Sequence, residues 1–379
     1  MKKVLGTNTI GYPEIRNFCG LPFRKYEFRK KQNLFKLPAY IFDKLQGEPL
    51  AFFWNAFYDM DFHKVEMYHF FNGISFGNRP WVTTFETMLP RWGDVNHRLE
   101  KRGISLLAGD ACKRIIALSD CTYGIQLDLI HSTWPEYARK IEDKMIVLHP
   151  PQKLQINSLD EKPVNEKVTF AFVGAAFFRK GGKEVLFAFD HLYRHGIRNW
   201  KLNIVSALEF DDYASGATQA DLDEVKRIIG LYPDHISHFS GLPNAEVMLI
   251  FKNSDIGLLP SYADTYGYSV LEAQAAGCPV ITTNIRAFPE INDSQCGWMI
   301  EVPCKNHGIA LVETQQQREV FSGVLRDGLI ETLRQILQNP AEIKAKGKIA
   351  YRKISENHSV EDRTNTLESL YDQILAGKI

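Results

Sequence analysis

The chain has 379 residues, 45% of them apolar, with 45 basic and 45 acidic side chains. That is length enough for two domains with separate cores, and it leaves no net field that would draw nucleic acid. Six cysteines, at 19, 112, 121, 278, 296 and 304, form no CxxC pair, which argues against a zinc site or a disulfide framework and fits free thiols in a reducing, cytoplasmic setting.

The N-terminus "MKKVLGTNTIGYPEIRNF" carries no apolar leader, and the longest near-apolar run, 168–178, is too short to span a bilayer. Residues 22–45 hold seven basic side chains against two acidic ones, interleaved with aromatics. They read either as a solvated surface or as a peripheral contact with anionic lipid. Four strands are predicted in the first half, at "KVEMYHFFNG", "PWVTTFE", "KRIIALS" and "KMIVLHP". His69, at the end of the first of these, reads as a core residue or as a group near a cleft.

The polar, proline-bearing stretch "PPQKLQINSLDEKPVNE" (150–166) reads as an interdomain linker. It suggests one domain over 1–160 and a second over 161–358. In the second half, strands "KVTFAFVG", "WKLNIVSA", "DIGLLPS" and "PVITTN" alternate with helical patterns at "GKEVLFAFDHLYRHG", "LDEVKRIIGLY" and 268–276. This repetition predicts an α/β chain of two Rossmann-like, doubly wound parallel domains facing a cleft. Amphipathic helices are predicted at 324–338 and 359–376, and the last, about 359–379, can return to pack on the first domain.

Two loops at predicted strand ends concentrate chemistry. "SYADTYGYSVLEAQAAGCPVIT" (261–282) carries Asp264 and Glu272. Ser269 and Glu272 fit a capping box, and Asp264 fits a solvated turn. The same loop follows a buried strand and opens a helix, the place where open α/β sheets hold anionic ligands. "FVGAAFFRKGGKEVL" places Arg179 and Lys180 before Gly181 and Gly182, a combination suited to a diphosphate. It is not a P-loop, since Arg179 stands at the second glycine position and Gly181 at the hydroxyl position. "GYSVL" lacks the closing glycine of a nucleophile elbow. The adjacent acids Asp211 and Asp212 read as solvated loop residues, so no metal-binding motif is predicted.

Together these stretches resemble the family 4 glycosyltransferases, retaining enzymes of the GT-B fold. "DTYGYSVLEAQAAGCPVITT" follows the family's Glu-x7-Glu motif with Asp264 and Glu272 at its two acidic positions, and Phe172-Val173-Gly174 with Lys180-Gly181 follows "FVGxxxxxKG". The likeness covers roughly 168–376. It implies a nucleotide-sugar donor and a glycan or lipid-linked acceptor, the chemistry of surface polysaccharide synthesis, with no cofactor and no metal. Glu272 would hold the ribose and Asp264 the sugar hydroxyls. Lys180 and Arg179 would neutralise the diphosphate beside Gly174, and Tyr266, Gly267, Tyr268 and Ser269 would offer backbone N–H groups. Ala175 replaces the family's usual arginine, and Glu86 occupies the place of a histidine near the reacting sugar. Glu86 is read as catalytic or as a buried partner of Arg91. Two other activities fit the same residues: a nucleotide-sugar-binding protein that has lost catalysis, and a GT-B epimerase, phosphorylase or hydrolase acting on the donor.

Overall fold

The computed structural model describes residues 2–36, 51–210 and 214–379. Two units emerge: the first comprises 1–151 with 358–379, the second 152–357. Residues 37–45 of the basic stretch and the pair Asp211 and Asp212 lie outside the described residues. In the described part of that stretch, Lys25 pairs with Asp372 and Arg29 with Glu27.

The first unit is built on β1 (Lys3–Thr7), β2 (Tyr26–Lys30), β3 (Ala56–Phe57), β4 (Met67–Phe71), β5 (Ile74–Ser75), β6 (Trp81–Phe85), β7 (Cys112–Ala117) and β8 (Met145–Val147). Six of these form a parallel sheet in the order β2-β1-β4-β6-β7-β8, and β3 pairs with β5. Every residue of β4 and β6 is buried, as expected of central strands covered on both faces. β2 lies at the edge and leaves Arg29 and Lys30 in solvent, a charged edge that discourages further pairing. Its flanking helices start at side-chain caps, Asn96 accepting from Leu99 N at 2.9 Å and Ser119 from Thr122 N at 3.0 Å.

The chain's last helix, Val360–Leu375, belongs to this unit. Glu368 accepts from the backbone N–H groups of Arg24 and Lys25 at 2.6 and 2.9 Å, and Asp372 accepts from the Tyr26 hydroxyl at 2.6 Å. His69 is fully buried and satisfied: Nδ1 lies 2.7 Å from the Tyr371 hydroxyl and Nε2 2.8 Å from that of Thr84. Its ring stacks on Phe18 at 3.9 Å. The structure therefore makes His69 a core residue.

The second unit contains β9 (Val168–Val173), β10 (Trp200–Val205), β11 (Ile236–Phe239), β12 (Ile256–Leu259), β13 (Val280–Thr283) and β14 (Gly297–Ile300). All six are parallel, in the order β11-β10-β9-β12-β13-β14. β9 and β12 are hydrogen-bonded neighbours although β10 and β11 separate them in sequence. Their connections therefore leave in opposite directions, which opens a crevice at their carboxyl ends. The stretch read as a linker packs on this unit instead: Gln155 N donates to Ala275 O at 3.0 Å, and Lys162 Nζ to Ser254 O at 2.6 Å. An unpredicted helix, Ala341–Asn357, packs on the helix Tyr268–Ala275, where Gly347 approaches so closely that a Cβ would stand 2.5 Å from Gly277 O. The helix Gln315–Gln338 begins well before the predicted 324, at a Thr314–Gln317 capping box.

Two measurements test how the first unit holds together. Tyr371→Phe deletes one partner of buried His69 and should cost roughly 1–3 kcal/mol; an unchanged melting temperature would contradict that. Burial lowers the His69 pKa, and it brings His358, whose Nδ1 lies 2.8 Å from Pro150 O, from 6.5 to about 4. Between those limits the unfolded chain binds protons that the folded unit excludes, so stability rises with pH there. The contribution is complete above pH 6.5 and falls by about 3 kcal/mol for His358 on acidification to its folded pKa. Thermal melts should be flat from pH 8 to 7 and drop below 6.5.

Candidate functional site

The loop after β9 and the loop after β12 meet at the carboxyl edge of the second unit's sheet. Lys180 Nζ reaches Asp264 Oδ2 at 2.7 Å, and the two side chains are only 16% and 12% exposed. The aliphatic stem of Lys180 crosses Gly174, where a Cβ would lie 2.1 Å from Lys180 Cδ. Gly174 is thus required by the lysine's path. Gly181 has φ +78, and a Cβ there would meet Pro260 O at 2.2 Å, so this turn needs glycine for both conformation and space. Helix Gly182–Arg194 starts immediately beyond it.

Arg179 belongs to the same cluster. Its Nη1 donates to Ala263 O at 3.3 Å, while its own carbonyl accepts from Tyr262 N at 2.8 Å. The second oxygen of Asp264 accepts from the N–H of the next residue, Thr265, at 2.9 Å, which helps hold the carboxylate toward Lys180. Beneath, Glu184 is buried and accepts from the Tyr262 hydroxyl at 2.7 Å and the Ser322 hydroxyl at 2.6 Å. Those bonds tie the loop after β12 to the helices Gly182–Arg194 and Gln315–Gln338.

The helix Tyr268–Ala275 opens from Gly267 at φ +93, with no side-chain cap. The Ser269–Glu272 capping box expected from the sequence is therefore not formed. Gly267 is the N-cap, Ser269 lies inside the first turn, and Glu272 is a turn farther on and only 7% exposed. A Cβ on Gly267 would stand 2.4 Å from the Phe288 ring, so the left-handed cap is enforced by packing. Val270 N closes the first turn onto Gly267 O at 2.9 Å, and the helix start presents a positive end beside the Lys180–Asp264 pair. Tyr266, which precedes this cap, is 1% exposed, with its ring 5.8 Å from that of Tyr268.

Gly174, Arg179, Lys180, Asp264, Tyr266, Gly267, Tyr268, Ser269 and Glu272 thus all belong to the loops after β9 and β12 and the helix they lead into. Ala175 is exposed and supplies no charge. Glu86 belongs to the first unit, just beyond β6. Its N–H donates to Asn72 Oδ1 at 3.3 Å, and its carbonyl accepts from the Thr122 hydroxyl at 3.0 Å. It does pair with Arg91, in a half-buried contact: the Glu86 side chain is 17% exposed and that of Arg91 42%. Sequence reading did not find the supporting residues Glu184, Ser322 and Phe288. Each acts through a contact with a residue far away in the chain, which no local pattern announces.

Comparison with known proteins finds similarity in the second unit. The profile described as Glycosyl transferases group 1 matches residues 156–316. The D-inositol 3-phosphate glycosyltransferase of Paenarthrobacter aurescens is 31% identical over 88 residues, 23% of this chain and 21% of that protein. The capsular polysaccharide biosynthesis glycosyltransferase CapM of Staphylococcus aureus is 25% identical over 153 residues, 39% of this chain and 37% of its own. These matches span less than half the length of either relative. Anabaena HepE, solved in complex with UDP, superposes over 98% of this chain and 100% of its own with a TM-score of 0.60 at 12% identity, a likeness of fold. No helix among the described residues is long and apolar enough to cross a membrane. Residues 156–316 are thus similar to the glycosyl transferases group 1 family, and the two parallel α/β units have the GT-B fold.

Proposed function

We propose that this protein is a retaining glycosyltransferase of family 4 type that moves a sugar from a nucleotide-sugar donor to a glycan or lipid-linked acceptor in surface polysaccharide synthesis. The observation that carries this reading is the meeting of the Lys180–Asp264 pair with the open start of the helix Tyr268–Ala275 at the point where the strand order reverses. The capsular role named for CapM and the UDP bound to HepE agree with it.

In this reading the second unit binds the donor. The diphosphate lies against Lys180, Arg179 and the helix N-terminus, with Gly174 giving the Lys180 stem its path. Negative charge grows on the departing phosphate oxygen as the glycosidic bond breaks. Fixed positive groups stabilise it most where water is scarce, and Lys180 is mostly buried. Asp264 exchanges part of its hold on Lys180 for the sugar hydroxyls, and Glu272 takes the ribose. The acceptor attacks from the face that the phosphate leaves, and its proton passes to that phosphate oxygen, so configuration is retained without a protein nucleophile. Glu86, from the first unit, favours positive character at the anomeric carbon. No metal is required, because the cationic side chains and helix end supply the counter-charge. Action at the cytoplasmic face of the membrane, with residues 22–45 touching anionic lipid, completes the proposal.

Three results are expected. Thermal shift against UDP-, GDP-, ADP- and dTDP-sugars should give a raised melting temperature with one donor class. Lys180→Gln and Glu272→Gln should each weaken nucleotide binding roughly tenfold or more, since each removes a charge-assisted contact; unchanged affinity in both would sink the donor site. Transfer should survive EDTA, and complete loss restored by Mg²⁺ would replace this mechanism with a metal-assisted one.

Glu86→Gln is expected to lower kcat by about two orders of magnitude, the scale of one well-placed electrostatic group. Because Arg91 is exposed, the melting temperature should barely move, consistent with less than about 1 kcal/mol for such a pair. A stable variant with normal kcat removes Glu86 from the chemistry.

A further inference from the structure

The second unit carries another concentration of positive charge, away from Lys180. β14 and the helix Gln315–Gln338 are joined by residues 301–314, long beside the roughly two to six residues usual for a strand-to-helix link. This connection folds on itself through a Cys304–Ala310 bridge, with Leu311 N donating to Pro303 O at 2.9 Å. It then clamps the turn after β13. Arg286 N donates to Gly308 O at 2.9 Å, and a Cβ on Gly308 would fall 2.4 Å from Arg286 N.

The clamped residue is strained. Arg286 has φ +48, a left-handed conformation that favours glycine. Its side chain lines a cavity of about 390 Å³ together with Tyr262, Ala263, Ile309, Glu313 and Arg318. Among the described residues the Arg286 side chain has no hydrogen bond or ion pair. Arg318 is little better served: Nε is buried without a partner, and its one hydrogen bond, to Glu313 O, is 3.5 Å long. The carboxylate of Glu313 is engaged by Lys305 and is 64% exposed. Two arginines thus line one half-enclosed space, and among the described residues neither has an ion-pair partner, an arrangement that an oxyanion would relieve.

We propose that this cavity is a second anion site, which takes the carboxylate or phosphate group of a sugar-sized ligand between Arg286 and Arg318. The volume lies within the range of small-molecule sites. Arginine forks suit either oxyanion, and Tyr262 and Ile309 give the ligand's body an apolar wall. The cavity borders the loop after β12 at Tyr262 and Ala263, but its two arginines are distinct from Lys180, Asp264 and Glu272.

Calorimetric titration of the full chain with inorganic phosphate, glucose 6-phosphate and glucuronate, and with glucose as the neutral control, tests this. At least one anion should bind where glucose does not, and the tighter of the phosphate and carboxylate arms identifies the group. Arg286→Gln and Arg318→Gln should each weaken that anion at least tenfold while UDP affinity stays unchanged. Lys180→Gln should do the reverse, so the fate of the donor site is read separately. Arg286→Gly guards against a folding artefact: it suits φ +48 and should hold or raise the melting temperature while still losing the anion. No anion binding by the parent chain, or binding abolished by Lys180→Gln and kept in the arginine variants, overturns the proposal.

Discussion

The ion pair between Lys180 and Asp264 is the constraint around which the second unit's functional edge is arranged. Two mostly buried charges are tolerated only when each satisfies the other with good geometry, so the loops after β9 and β12 must arrive in register. The sheet supplies that register: Ile256 pairs with Phe170, Gly257 with Ala171 and Leu258 with Phe172. Gly174 then yields the space through which the lysine stem passes, and Gly181 turns the chain where Pro260 O leaves no room for a side chain. A cation held in this way is also available to a ligand, because an incoming diphosphate offers more charge than one carboxylate.

A similar logic governs the first unit, but with a different outcome. There the helix Val360–Leu375 closes over the sheet through Glu368, Tyr371 and Asp372, and it receives His69 into a fully satisfied core position. A histidine so enclosed is neutral and stacked on Phe18. It has lost what makes the residue useful in catalysis, namely access and a pKa near neutrality. Polar groups at strand ends are thus sorted by enclosure: His69 became part of the core, whereas Glu86, one strand over, is 17% exposed and paired with the more exposed Arg91.

Most of the second unit's architecture was legible because buried parallel strands announce themselves as continuous apolar runs and their helices by spacing. β1, β2, β3 and β5 were not, for physical reasons. "KVLGT" is short and holds a glycine, "YEFRK" is a charged edge strand, and two-residue strands carry no period. The boundary between the units falls within the stretch 150–166, but its polar, proline-bearing composition says nothing of attachment, and Lys162 fastens it to Ser254 and Ala276. Lys180, Asp264 and Glu272 were visible through spacing and resemblance. Their supports were not, because Glu184, Ser322 and Phe288 matter only through contacts between distant segments.

The start of the helix Tyr268–Ala275 shows how local signals and packing compete. Ser-x-x-Glu is a good capping box in isolation, and had it formed, Glu272 would have been spent on the backbone of the first turn. Phe288 decides otherwise. Its ring occupies the space beside Gly267, holding that residue in the left-handed conformation as N-cap and starting the helix before Ser269 can serve. The helix Ala341–Asn357 presses from behind through Gly347 against Gly277 O, fixing the far end of the same short helix. With both ends set by tertiary contacts, neither Ser269 nor Glu272 is needed to begin the helix. The start of this helix is therefore a product of packing between distant segments, which the local Ser-x-x-Glu pattern does not reveal.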